Sequence, residues 1–286
     1  MDLLEQIANR PICGDGAMET LLVERGVAPQ ECFEGLCLTR PDLVQEIHRA
    51  YLSAGARIIK TNTFGASIVR LASHGLSGRV NEINWQAAQL ARQSAKGAFV
   101  AGSVGPLGTS SEEAGALGIN REDCFRTQIG ALLDGGVNLI FLEGFEDLDE
   151  LLLALRVKHS LHHCPAICSL APNARGELAA GQDLPEAFAI LEREDAEILG
   201  INCVAGPREA LRLVEGLGRF AAPLAVFSDA GRPLHGEPRF LSPQEFASMG
   251  ISLAARGVRI IGGGRGTTPS HIAALAAALG AGDRID

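Results

Sequence analysis

Four ionisable side chains stand where short apolar runs of the sequence end, at Asp15, Lys60, Glu143 and Asp229. Paired carboxylates and an amine can hold a charged substrate or exchange protons with it. A lysine in a dry pocket can also act as a Schiff-base nucleophile. The alternative is structural, because Lys60 could form a salt bridge with Asp15 or Glu143 and nothing more. Both interpretations stay open on the sequence.

A glycine-rich run, Gly262–Gly266, contains Arg265 and leads into a predicted helix. Backbone N–H groups, a helix N-terminus and a guanidinium together predict binding of a phosphate or carboxylate. A tight strand-to-helix turn is the alternative. Cys203 also ends an apolar run, where it is either a reactive thiol or a small buried hydrophobe.

A third cluster has residue types that are typical of metal ligands, at His159, His162, His163 and Cys164. These residues fall in the turn that precedes the fifth predicted strand, away from the strand ends considered above. Histidine near a helix C-terminus is favourable for the helix dipole alone. We therefore predict no metal site at this cluster.

The elements that must position these residues repeat as a short apolar run, a turn and a helical pattern. We predict eight strands, at Pro11–Asp15, Ala56–Thr61, Ala98–Ser103, Val137–Leu142, Pro165–Leu170, Ile198–Asn202, Pro223–Asp229 and Val258–Gly262. The clearest helical patterns are Pro41–Ser53, Asn81–Ala95, Arg121–Leu133, Leu148–His159 and Pro269–Leu279. Glycines at positions 55, 136 and 257 precede strands and suit left-handed helix ends.

Eight strand–helix units in a chain of this length predict a single α/β domain, a (β/α)8 TIM barrel over residues 1–286. A doubly wound open sheet is the alternative, but no linker or change of composition divides the chain. In a barrel the chemistry lies at the C-terminal ends of the strands. The longest segments there, Gly16–Arg40, Pro106–Asn120 and Ala230–Ser242, are expected to form the pocket walls.

Composition narrows the possible partners. The 286 residues carry a formal charge of −9, which argues against nucleic acid or an anionic membrane as a partner. No apolar run is long enough for a membrane span, and the first residues lack the basic and apolar regions of a signal peptide. Seven scattered cysteines show no disulfide framework. We expect a cytoplasmic protein that acts on a small molecule.

Several long motifs resemble the homocysteine S-methyltransferase family, in the same order along nearly the whole chain. They are GDGAM at 14–18, LTRPDLVQEIHRAYLSAGARII at 38–59, TNTFGA at 61–66, AGSVGPLG at 101–108, Glu143, GINC at 200–203, DAG at 229–231 and GTTPSHI at 266–272. The resemblance implies a (β/α)8 barrel and methyl transfer to homocysteine. It also implies a zinc ion held by three thiolates, one in GINC and two in a GGCCGTTP motif. The zinc lowers the pKa of the acceptor thiol.

By the same resemblance, Asp15 and Glu143 hold the amino-acid end of the acceptor. The remaining candidate substrate-binding residues lie beside them at strand ends: Gly16, Met18, Asn62, Ser169, Asn202, Asp229 and Gly264. Candidate catalytic residues are Cys203, Arg265 and Lys60.

The chain departs from the family pattern where the two adjacent cysteines belong, because Gly264 and Arg265 stand there. Catalytic zinc normally has three protein ligands, so a zinc cofactor is not expected with Cys203 alone. Cys32 and Cys37 could complete a rebuilt metal site if their loop folded over Cys203. Two further departures change the charge of the pocket: Glu19 stands where the family has a glycine, and Lys60 stands where the family has an acidic residue. A different ligand would explain these exchanges.

Three functions remain open on the sequence. The first is methyl transfer from a small or partner-borne donor to a small, amino-acid-like thiol acceptor, with Arg265 or Lys60 pairing with the thiolate. The second is a catalytically silent subunit that binds a metabolite or regulates a folate- or corrinoid-pathway protein. The third is another barrel enzyme, acting on an anionic substrate with Lys60, Asp15 and Glu143.

Overall fold

The architecture comes from a computed structural model that describes residues 2–203, 206–231, 233–234, 237–238 and 240–280. For residues 203, 233–234 and 237–238 it describes the backbone alone. Eight parallel strands form the central sheet: β1 (Ile12–Cys13), β2 (Ile58–Lys60), β3 (Phe99–Val104), β4 (Leu139–Phe145), β5 (Ala166–Leu170), β6 (Ile198–Cys203), β7 (Leu224–Ser228) and β10 (Val258–Gly263). A small antiparallel pair, β8 (Pro233–Leu234) and β9 (Glu237–Pro238), lies in the segment after β7.

Helices follow the strands and surround the sheet: α1 (Leu3–Asn9), α2 (Met18–Glu24), α3 (Leu36–Thr39), α4 (Pro41–Ser53), α5 (Ile68–Ala72), α6 (Val80–Ser94), α7 (Ser111–Ala116), α8 (Arg121–Asp134), α9 (Leu148–Leu161), α10 (Leu184–Arg193), α11 (Pro207–Gly216), α12 (Pro243–Ala255) and α13 (Pro269–Ala278). A 3₁₀ turn spans Ser77–Arg79. Glycines 55, 136 and 257 have φ values of 100°, 82° and 89°, as predicted for left-handed helix ends. No helix among the described residues is long and apolar enough to cross a bilayer.

The strands close into a barrel, which confirms the predicted fold. Neighbours pair in the order β1-β10-β7-β6-β5-β4-β3-β2. The ring is completed between β1 and β2 by a parallel bridge from Gly14 to Ile58 and by the Arg57 N–H, which donates to Cys13 O at 2.7 Å. In this order β2 and β6 lie on opposite sides of the ring.

Two apolar layers hold the barrel together. An outer layer joins the strands to the surrounding helices. The inner layer fills the barrel, and Leu3 and Ile7 of α1 belong to it. Because α1 precedes β1, these two side chains cap the N-terminal end of the barrel. A ligand can therefore approach the interior from the C-terminal ends of the strands.

Candidate active site

Three charged side chains meet at the C-terminal ends of β1, β2 and β4. Lys60 Nζ lies 2.9 Å from Glu143 Oε1 and 3.9 Å from Asp15 Oδ1. The backbone N–H of Lys60 also donates to Asp15 Oδ2 at 2.8 Å. The side chains of Lys60, Asp15 and Glu143 are only 12%, 4% and 13% exposed. A buried ammonium thus stands between two carboxylates at the mouth of the barrel.

Two aromatic rings lie beside this ammonium. Lys60 Nζ is 4.8 Å from the centroid of Phe227 and 5.7 Å from that of Phe141, close enough for cation–π attraction. The two rings are themselves 4.8 Å apart and belong to the inner layer of the barrel. Sequence reasoning missed both phenylalanines. Side chains alternate between the two faces of a strand, and this alternation along β4 and β7 could have identified both rings as facing into the barrel.

A hydrogen-bond network from neighbouring strands fixes Glu143. Ser103 Oγ donates to Glu143 Oε2 at 2.9 Å, and Asn202 Nδ2 donates to Oε1 at 3.4 Å. Asn202 Oδ1 in turn accepts from Ser169 Oγ at 2.6 Å and from the Gly144 N–H at 2.9 Å. Ser169 and Asn202 thus position Glu143. Sequence reasoning did not select Ser103, although it ends an apolar run like the others.

The environment sets the charge of Lys60 and Asp15. Burial opposes the charged form of Lys60, but the carboxylates of Glu143 and Asp15 outweigh it and raise the Lys60 pKa above its usual value. Burial raises the pKa of Asp15 to about 7, although the charge and N–H of Lys60 act in the opposite direction. A Schiff-base nucleophile needs a neutral amine. The geometry therefore favours a charged, ion-paired Lys60 over that role.

Asp229, Gly264 and Arg265 form a second unit beside the first, at the ends of β7 and β10. Asp229 Oδ1 accepts the backbone N–H of Arg265 at 2.8 Å, and Arg265 Nε lies 3.8 Å from Asp229 Oδ2. A Cβ atom added to Gly264 would overlap Asp229 Oδ1 and would lie 3.2 Å from the Asp229 backbone nitrogen. The Arg265 side chain is 55% exposed and faces solvent at the mouth. Asp229 therefore occupies the space of a side chain at position 264.

The residues at positions 264 and 265 do not fit the zinc ion that the family resemblance implies. Gly264 offers no ligand and Asp229 fills the space for one, while the guanidinium of Arg265 repels a dication. The side chain of Cys203 lies outside the described residues. Among those that are described, no group of three or more His, Cys, Asp or Glu side chains could ligate a metal ion.

Cys32 and Cys37 are poor replacements for the missing thiolates. Cys37 is buried with its Sγ 3.8 Å from Asn62 Nδ2, and burial raises its pKa to about 12. Burial also raises the pKa of Cys32, whose Sγ lies 3.7 Å from Glu34 Oε2. Asn62 follows β2, across the barrel from the β6 strand that Cys203 ends. The geometry gives no support to a shared metal site.

The backbone N–H groups of the glycine-rich run are already used inside the protein. Those of residues 263 to 266 donate, in order, to Asp15 O (2.8 Å), Ser228 O (2.8 Å), Asp229 Oδ1 (2.8 Å) and Thr20 Oγ1 (3.0 Å). The prediction that these groups bind an anion is therefore wrong. The turn alternative accounts for the run, and Arg265 alone keeps an exposed cationic group for an anion.

Three further candidate residues have structural contacts. A Cβ at Gly16 would lie 2.7 Å from the ring of Tyr51 and from Thr267 Oγ1, so this glycine permits close packing. Met18 begins α2 and packs against the outer apolar layer. Asn62 Nδ2 donates to the Phe33 carbonyl at 2.6 Å. This bond ties the long loop after β1 to the end of β2.

The histidine cluster lies at the opposite end of the barrel. His159 Nε2 is 3.7 Å from Glu197 Oε1, and His162 Nδ1 accepts the Cys164 N–H at 3.0 Å. A cleft of about 840 Å³ adjoins it, lined partly by His159 and His163. The charged groups at the strand ends are remote from this cleft, so we place the candidate site at the C-terminal mouth.

Comparisons with known proteins agree with this geometry. A family model described as homocysteine S-methyltransferase matches residues 12–279. Methionine synthases from Mycobacterium leprae and Mycobacterium tuberculosis are 30% and 31% identical over 97% of this chain, which spans a quarter of their length. The metallated homocysteine methyltransferase MmuM from Escherichia coli is 28% identical, with a TM-score of 0.76 over 93% of this chain and 96% of its own. A methyltransferase from Methanosarcina mazei, 13% identical with a TM-score of 0.64 over 97% of each chain, shows the same fold.

Proposed function

Because the chain belongs to the homocysteine S-methyltransferase family, we propose that it transfers a methyl group to a small thiol acceptor without a zinc ion. One observation carries the zinc-free part of the proposal. Asp229 Oδ1 fills the space of a side chain at Gly264, and its bond to the Arg265 N–H holds it there. The thiol must therefore be activated by side chains.

Arg265 is the side chain best placed to do this. Its guanidinium is more than half exposed at the mouth, and a nearby cation lowers the pKa of a thiol by stabilising the thiolate. The thiol proton passes to solvent, and the thiolate sulfur forms a bond to the methyl carbon. The bond between methyl and donor breaks, and its electron pair stays with the donor. Cys203, next to Asn202 at the end of β6, lies at the same rim.

The donor is a small molecule or is carried by a folate- or corrinoid-pathway protein. The similarity to two methionine synthases supports this class of partner. Asp15 and Glu143, with the asparagine and serines around Glu143, form the floor against which the acceptor binds. The charges of this floor decide which acceptor fits.

The test is a methyl-transfer assay that detects the thioether product by mass spectrometry, with small thiols and small methyl donors. Arg265→Ala is expected to lower kcat/KM by about tenfold or more, because it removes the cation beside the thiolate. Asp15→Asn and Glu143→Gln are also expected to lower activity. Lys96→Gln, an exposed change away from the mouth, is the control.

Zinc content is measured on the same preparations, after equilibration with zinc. Activity that survives a chelator supports the proposal. About one zinc per chain, lost in Cys203→Ala, would overturn its zinc-free part. Binding of thiols with no transfer from any donor, together with a stable partner protein, would instead favour the catalytically silent subunit.

A further inference from the structure

Lys60 brings a permanent ammonium group into the floor of the pocket. Its Nζ is 2.9 Å from Glu143 Oε1 and 3.9 Å from Asp15 Oδ1, with two phenylalanine rings within 5.7 Å. A ligand ammonium would seek the same two carboxylates. The chain therefore already contains the cation that this pair of carboxylates can accommodate.

Three of the four carboxylate oxygens already accept hydrogen bonds from the protein. Both oxygens of Glu143 accept bonds from the protein, from Lys60, Ser103 and Asn202. Asp15 Oδ2 accepts the Lys60 N–H. Asp15 Oδ1 is the remaining oxygen, and it is buried without a hydrogen-bond donor, beside the ammonium of Lys60. A ligand ammonium could reach it only by standing next to Lys60.

We propose that Lys60 determines specificity by excluding thiols that carry an α-ammonium group, so that the acceptor is a small mercaptocarboxylate without an amino group. The ligand carboxylate accepts a hydrogen bond from Lys60, whose side chain is 12% exposed. The proposal rests on the proposed function in taking the ligand to be a thiol. It replaces the amino-acid-like acceptor that the family resemblance implies.

The size of the effect follows from like-charge repulsion. Two ammonium groups about 4 Å apart, at an effective dielectric constant of about 20, repel each other with an energy that corresponds to about 10³-fold in affinity, and attraction to the carboxylates of Asp15 and Glu143 offsets part of it. Solvent at the mouth and small shifts of the ligand reduce this factor. A preference of at least about tenfold for the ligand without the ammonium remains as the expected result.

The experiment compares two ligands that differ only in the amino group, homocysteine and 4-mercaptobutanoate. Their binding to the wild-type chain is measured by calorimetry at pH 7.5 under reducing conditions, with no methyl donor present. The proposal expects 4-mercaptobutanoate to bind at least about tenfold more tightly. Equal affinity, or tighter binding of homocysteine, would overturn it without any variant.

The variant Lys60→Gln tests the residue itself. It removes the internal ammonium and leaves the carboxylates, so the preference should move toward homocysteine by about tenfold or more. Lys158→Gln is the matched control, because Lys158 is also buried and pairs with a glutamate, Glu197, at 2.6 Å on the opposite face. The ligand preference of this control should stay that of the wild type. An unchanged preference in Lys60→Gln would overturn the role of Lys60.

Ethylammonium provides a readout if Lys60→Gln is unstable. Bound in the space vacated in the truncated variant Lys60→Ala, it should raise the midpoint of thermal unfolding of that variant by about 2 °C or more and leave the wild type unchanged. The absence of this rescue in a folded variant would count against the ammonium site. The binding measurements and the transfer assay test the two proposals separately. Preference for 4-mercaptobutanoate without transfer defeats the proposed function alone, whereas methyl transfer with a kcat/KM for homocysteine that equals or exceeds that for 4-mercaptobutanoate defeats this inference alone.

Discussion

The raised pKa of Asp15 makes a quantitative prediction about stability and pH. A carboxyl group with a pKa of about 7 in the folded chain and an ordinary value near 4 when unfolded binds its proton more tightly in the folded state. Its contribution to stability is therefore complete below pH 4 and is lost as the pH rises through 7. A difference of about 3 pKa units corresponds to about 4 kcal/mol in total, of which about 3 kcal/mol is lost between pH 5 and pH 8.

The perturbation is Asp15→Asn, which keeps an oxygen to accept the Lys60 N–H but removes the titration. Urea unfolding at pH 5, 6, 7 and 8 gives the free energy of unfolding for both proteins. The wild type should lose about 3 kcal/mol relative to the variant over this range. Asp149→Asn, at an exposed position, should run parallel to the wild type. If the free energies of unfolding of Asp15→Asn and of the wild type also changed with pH in parallel, Asp15 would titrate normally and the argument from burial would be wrong.

Two other predictions concern packing and accessibility. Gly264→Ala should lower the free energy of unfolding by about 2–4 kcal/mol, since its Cβ displaces Asp229 from the Arg265 N–H. Measured by urea unfolding, the same substitution should cost less in an Asp229→Ala background, where the overlapping carboxylate is absent. Equal costs in the two backgrounds would contradict the overlap. Acetic anhydride at pH 7, followed by peptide mass spectrometry, should modify the exposed Lys96 and spare Lys60 and Lys158, which are buried and ion-paired. Rapid modification of Lys60 would show that its amine is neutral or accessible.

The sequence predicted the order of the barrel strands well and their lengths less well. β1 was expected to span Pro11–Asp15 but covers Ile12–Cys13, because it pairs with β10 over two residues and Gly14 beyond it forms only an isolated bridge to Ile58. An apolar run shows which residues are buried and does not show how far a neighbouring strand accompanies them. Helix α4 was predicted with its observed bounds, since Pro41 marks its start.

The sequence predicted which residues belong to the candidate site better than it predicted the contacts between them. The positions of Asp15, Lys60 and Glu143 at strand ends indicated that they would be neighbours. Which carboxylate carries the closer contact to Lys60 depends on side-chain geometry that spacing cannot give. The prediction of an anion site at the glycine-rich run was wrong for a similar reason. Its composition is compatible with free N–H groups, but tertiary contacts such as Thr20 Oγ1 with Gly266 satisfy them.

The overlap between Asp229 and any side chain at position 264 also constrains the order in which this pocket can change. A cysteine introduced at 264 first would collide with the carboxylate, and an alanine introduced at 229 first would leave the Arg265 N–H without its acceptor. Each first step costs stability before a second step can compensate. Single substitutions therefore meet a barrier in both directions, and a designer who wants thiolates here must vary positions 229, 264 and 265 together.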